Sequence, residues 1–153
     1  MWDRVLEAIA IGALVYGVVV VLQAWSTLPD TIPTHFDASG NADGFGPKGM
    51  IWLLPSISVV LVPAMLILRR FPWLSNVPIE ITEENAEKQY GLIVRLLSLL
   101  ACAVSLLFTA LVYDTILIAG GGNSLLGAWF MPIFLTGNMA PILWYFYAAF
   151  KGR

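Results

Sequence analysis

The stretch "VLEAIAIGALVYGVVVVLQAW", residues 5–25, decides the class of this fold. It is close to continuously apolar, and a helix needs roughly 20 such residues to cross a bilayer. Lipid offers the backbone no hydrogen-bond partners, so a run of this kind folds as a helix that satisfies its own N–H and C=O groups. Its apolar core exceeds the roughly 7–15 residues of a secretion signal, and only Arg4 marks a basic start. Although Ala24-Trp25-Ser26 has small residues at cleavage-like spacing, the run therefore reads as a membrane span.

Three further runs match it, at about 49–68, 92–118 and 127–150. Across the 153 residues, 59% are hydrophobic and 12% charged, against roughly 45–50% and about 25% in soluble domains. The expectation is an all-α integral membrane protein, one domain over 1–153 with four transmembrane helices. The net charge of −2 and the absence of a lysine and arginine cluster argue against nucleic acid as a partner. A single cysteine, Cys102, rules out an intramolecular disulfide and a cysteine-based metal site.

Basic residues set the expected orientation. One side of the four spans collects Arg4, Arg69, Arg70, Lys88, Arg95, Lys151 and Arg153, while the other has only Lys48. Both termini and the loop 70–91 are therefore expected in the cytoplasm, and the loop 26–48 outside it. Within 70–91, Pro72 and Pro78 oppose helix, so Phe71–Ile81 is expected to be irregular or to lie along the interface. Thr82 has the character of an N-cap for a helix that runs on into the third span.

Polar residues at membrane depth are costly and face protein or water. Asp114 falls near the outer end of the third span, level with the loop 26–48. Two readings stay open for it: pairing with His35 or Lys48, or facing water among the headgroups. Asn138 lies between Gly137 and Pro141, where a kink would free backbone carbonyls. Ser98, Ser105 and Thr109 suit contacts between helices.

The outer loop holds the polar stretch "HFDASGNADGFGPKG", residues 35–49. Asp37, Ser39, Asn41 and Asp43 alternate as calcium ligands do. An EF-hand register from Asp37 puts Ala42 at position six and Lys48 at position twelve, and one from Ser39 puts Met50 at position twelve, so both fail. One histidine is too few for a zinc site, and Ser39 lacks a nucleophile-elbow context. Turn chemistry accounts for more of the stretch. Asp37–Gly40 and Asn41–Gly44 read as successive turns. Ile32–Phe36 has the composition of a short strand. A small ordered hairpin or Ω-type loop is expected, with Lys48 anchoring at the headgroups.

The residues Leu28-Pro29-Asp30-Thr31-Ile32-Pro33-Thr34-His35-Phe36-Asp37, then Gly40, Asp43-Gly44-Phe45-Gly46, Lys48 and Pro55, carry a resemblance. They resemble the motif of a bacterial membrane domain of unknown function, a module that also forms the N-terminal part of SdpI-type immunity proteins. The resemblance implies a bacterial cytoplasmic (inner) membrane location. It points to Pro33, His35, Asp37, Gly40, Asp43, Gly44 and Lys48 as motif positions. SdpI-type proteins carry a further membrane region that these 153 residues do not include, so immunity is suggested by the resemblance and no more.

The functional expectation is a non-enzymatic membrane module that recognises an extracytoplasmic peptide or protein through residues 28–48. The candidate residues are Pro33, His35, Asp37, Asn41, Asp43, Gly44 and Lys48, with Asp114 and Asn138 as intramembrane polar positions. No cofactor is expected, and membrane lipid surrounds the spans. The alternatives are an accessory subunit among membrane protein partners and, third, a metal-dependent enzyme or small transporter using His35, Asp37, Asp43 and Asp114.

Overall fold

The structure, a computed structural model, describes residues 2–37 and 39–152. Helix α1 spans Trp2–Ala24. Strands β1 (Thr31–Phe36) and β2 (Ala42–Pro47) follow, and a 3-10 turn over Lys48–Trp52 leads into α2, Leu53–Leu68. A short 3-10 turn at Pro72–Leu74 precedes α3, Ala86–Ala119, and another at Gly127–Trp129 precedes α4, Phe130–Lys151. The four helical segments are long and apolar enough to cross a membrane. α2 and α4 run unbroken through Pro63 and Pro141.

The long helix α3 is the hub against which α1, α2 and α4 pack. Lipid is as apolar as leucine, so helices in it associate through close packing and hydrogen bonds. The α1–α3 seam uses both. Ser105 Oγ donates to the Ala10 carbonyl at 2.7 Å, and Thr109 Oγ1 donates to the Ala13 carbonyl at 2.8 Å. Gly17 permits the approach, since a Cβ there would sit 2.8 Å from Thr109 Oγ1. Ser105 and Thr109 thus make the interhelical contacts their positions suggested. Ser98 donates to the Val94 carbonyl of its own helix at 2.8 Å and also accepts from Arg69 Nη1, at the end of α2, at 2.8 Å.

The chain is not all-α. A two-stranded antiparallel sheet stands between α1 and α2. The strand at 32–36 agrees with its β-branched and aromatic composition. The expected second turn at Asn41–Gly44 is instead the start of β2. Pairing with β1 overrides the local turn preference, and register irregularities flank His35, which faces Gly44. Glycine is required there, because a Cβ on Gly44 would lie 2.9 Å from the His35 Cβ.

Residues 75–85 are irregular, as the prolines demand. Thr82 and Asn85 bond reciprocally: the Thr82 N–H donates to Asn85 Oδ1 at 3.0 Å and the Asn85 N–H to Thr82 Oγ1 at 3.3 Å. This capped turn precedes the α3 helix proper, which begins at Ala86. The fully buried Gln89 donates to the carbonyls of Ala149 and Gly152 at 3.1 and 3.2 Å, tying down the end of α4.

Candidate functional site

Up-and-down topology gathers the C-terminus of α1, the hairpin, the start of α2, the end of α3 and the start of α4 at one end of the bundle. The root of the hairpin is part of the apolar core there. Leu28 and Ile32 are buried with Val21, Ile51 and Val112. Pro33, also buried, sits in a two-stranded sheet where its missing N–H costs little.

Beyond this root the hairpin leaves a cleft of about 460 Å³, within the usual size range of small-ligand sites. Its floor and walls are Ile51, Leu54, Leu111, Val112, Thr115 and Phe130. The inner face of β1, from Ile32 to Asp37, forms the polar side. Met50, Leu53 and Met131 form an apolar lip, each between 42% and 50% exposed.

His35, Asp37, Asn41, Asp43 and Lys48 of the hairpin each have a definite partner. His35 Nδ1 lies 2.5 Å from Asp43 Oδ1, across the two strands and in solvent. Asp37 organises the tip. Its Oδ1 accepts from the Ser39 and Asn41 N–H groups at 2.8 and 2.9 Å, and its Oδ2 accepts from Asn41 Nδ2 at 3.2 Å. Hydrogen bonds to the charged form, those from Asn41 foremost, hold the Asp37 carboxyl below its ordinary value. Lys48 stands apart at the root, 5.3 Å from the Trp25 ring centroid and 3.5 Å from Asp30 Oδ1.

A hydrogen-bonded chain braces the hairpin tip from below. Asp114 is buried at 4% exposure. Its Oδ2 accepts from Ser124 Oγ and its Oδ1 from the Leu125 N–H, both at 2.6 Å. Ser124 Oγ in turn accepts from the Gly127 N–H at 2.8 Å. Gly127 touches the tip, where a Cβ on Gly40 would lie 2.4 Å from its Cα. Both glycines have positive φ, +82° at Gly40 and +47° at Gly127, which other residues adopt at a cost. Asp114, Ser124, Gly127 and Gly40 thus form a brace that fixes the hairpin over the cleft.

Of the sequence candidates, the structure brings Pro33, His35 and Asp37 to the cleft, with Asn41, Asp43 and Gly44 holding them in place. Two readings of Asp114 are corrected. It does not pair with His35 or Lys48, whose partners are Asp43 and Asp30, and it does not face water, because the α3–α4 connection folds over it. Asn138 is also no part of the site. Its Nδ2 donates back to the Phe134 carbonyl of its own helix at 2.9 Å. Among the described residues no three His, Cys, Asp or Glu side chains come together to hold a metal ion.

Two features escaped the sequence reading. One is the α3–α4 wall of the cleft. Its signal was present, since Leu111 and Thr115 are spaced i,i+4 on one helix face. The other lies at the opposite end of the bundle, where Arg69 is more than an interface marker. Its side chain is 9% exposed and forms an ion pair with Glu7. Arg69 also donates to the Asp3 carbonyl at 3.0 Å and to Ser98 Oγ at 2.8 Å. Arg70 reaches Glu7 at 3.8 Å, and Arg95 reaches Asp3 at 3.9 Å. Glu7, a lone acid within an apolar run, was the available signal.

The comparisons with known proteins fall on the same region. The family model described as "Domain of unknown function (DUF1648)" matches residues 8–59, from α1 through the hairpin into α2. An uncharacterized protein from Archaeoglobus fulgidus is 34% identical over 65 residues, covering 37% of this chain and 36% of that protein. The chain thus spans about a third of the length of that relative. No solved structure matches. The motif resemblance between Leu28 and Pro55 lies within the matched domain.

Proposed function

We propose that this protein is a membrane recognition module that takes its ligand in the cleft beneath the hairpin. The observation behind the reading is the combination of a formed cavity of about 460 Å³ with a roof braced from below. A loop that only connected two spans would need neither. The polar side of the cleft is the family-like stretch, with Pro33, His35 and Asp37 lining it.

The charge bias of the sequence supports an extracytoplasmic hairpin and cytoplasmic termini. A bacterial inner-membrane location and a role in toxin immunity or in sensing are particular forms of this proposal. Their support is the motif resemblance alone. An accessory role in a larger membrane complex is a second reading. It is favoured by α4, which packs along α3 and leaves Leu135, Met139, Leu143 and Tyr147 uncovered.

A photocrosslinking residue in living cells tests the main reading. Installed at Thr34, on the cleft, or at Phe45, 63% exposed on β2, it should give an adduct of one defined mass. At Val60, 72% exposed on the apolar face of α2, it should give only a heterogeneous smear. A smear at all three positions overturns the proposal.

A further inference from the structure

We infer that the cleft takes a membrane lipid with an ammonium headgroup, its chain against the apolar walls and its ammonium at the carboxylates of the hairpin. This rests on the recognition reading above and names the ligand class.

The shape carries the first part. The cleft is lopsided. Ile51, Leu54, Leu111, Val112 and Phe130 make it apolar within, and the lip of Met50, Leu53 and Met131 stays exposed. That lip is continuous with the uncovered apolar faces of α2 and α4, where Ile57, Val60 and Leu135 are also exposed. In a chain with four membrane-length helices, this side of the cleft opens toward hydrocarbon. The opposite side, β1, opens toward polar surroundings, with the His35 side chain 74% exposed. A ligand that fills both sides is an amphiphile.

The charges carry the second part. Among the described residues, no lysine or arginine lines the cleft. Lys48, the nearest basic side chain in sequence, is engaged at the root by Trp25 and Asp30. The polar rim has the Asp37 carboxylate and the His35 imidazole, and the Asp43 carboxylate pairs with that imidazole from the facing strand. Asp37 keeps its charge because its hydrogen bonds favour the ionised form. The rim is therefore negative when His35 is neutral and carries a net negative charge even when it is protonated. Such a rim repels a headgroup with a net negative charge and attracts an ammonium.

Native mass spectrometry of the whole protein in neutral detergent tests this, with equimolar phosphatidylethanolamine and phosphatidylglycerol of identical chains. The expected result is one phosphatidylethanolamine retained per protein, favoured about fivefold over phosphatidylglycerol, the scale of an exposed charge interaction. Met131→Trp, at the exposed lip where folding tolerates bulk, should remove that bound lipid. Asp37→Asn with Asp43→Asn should keep a bound lipid and erase the preference. Equal retention of the two lipids, or a preference that survives Met131→Trp, overturns the inference. If defined crosslinks at Thr34 and Phe45 persist alongside equal retention, the lipid class falls and the recognition reading stands. If the crosslinks are also lost, both fall.

Discussion

The two ends of the bundle use polar residues in opposite ways. At the Arg69 end, charged side chains face one another across helices. Glu7, Arg69 and Ser98 come from α1, the end of α2 and α3, so each bond ties two elements. At the hairpin end, the polar groups bond mainly within one local segment: Asp37 to its own turn, His35 to the facing strand, Asp114 to the connection that follows it. The helices there are held apart at the cleft, and the hydrogen bonds shape its roof. One end uses its polar groups to tie helices together and the other to shape a hairpin over a cleft.

Breaking each end separately should expose the difference. The largest effect is expected from Glu7→Gln, which leaves the Arg69 guanidinium largely buried without its carboxylate. Losing one partner of such a pair costs about 3 kcal/mol or more. Thermal unfolding in detergent should show it as a lowered Tm, with the hairpin intact below the transition. Asp114→Ala comes next. It strands the Ser124 hydroxyl and the Leu125 N–H, at about 1–3 kcal/mol. Hydrogen exchange should speed up at the Leu125 and Gly127 amides while the Arg69 end keeps its protection.

Gly40→Val should cost about 1–2 kcal/mol from its left-handed backbone alone. Its Cβ would also push against Gly127. The readout is the cleft: a cysteine placed at Leu111 should react faster with a maleimide once the roof is lifted. Ser105→Ala, at the seam between the two ends, should cost only about 0.6 kcal/mol, the average for hydrogen bonds between membrane helices.

The smallest effect is acid titration of the hairpin tip. The folded-state value of Asp37 is depressed, so its contribution is complete above the ordinary carboxylate range. It is lost as pH falls through that depressed value. The Asn41 amide resonance should therefore titrate below the usual carboxylate midpoint, and Asp37→Asn should remove the transition. A transition at or above the usual midpoint would show that the Asn41 bonds do not hold the charge.

The helices were legible because their cause is local. An apolar run in lipid has one way to satisfy its backbone, and the four runs became four helices with ends shifted by a few residues. β2 was not legible. Asn41-Ala42-Asp43-Gly44 has the composition of a turn, and only the facing β1 makes it a strand. Gly44, which signalled the end of a turn, instead makes room for His35, as Gly46 does for Thr34. Asp114 was legible as a costly intramembrane acid, but its partners, Ser124 and the Leu125 N–H, follow it in the next connection. Proximity in depth to His35 suggested the wrong pair. Arg69 was legible only as one of the basic residues that set the orientation, because its partner Glu7 lies 62 positions away in the chain.

The 3-10 turn before α2 bears on how the protein matches its bilayer. The 16 α-helical residues of α2 rise about 24 Å, short of the roughly 30 Å hydrocarbon thickness. The five residues Lys48–Trp52, rising about 2 Å each in a 3-10 turn, supply the remaining length. The hairpin root, with Leu28 and Ile32, packs in one apolar cluster with Ile51 of that turn. Ile51 lies in that turn and also lines the cleft, so one short segment sets both the length of the span and the shape of the cavity.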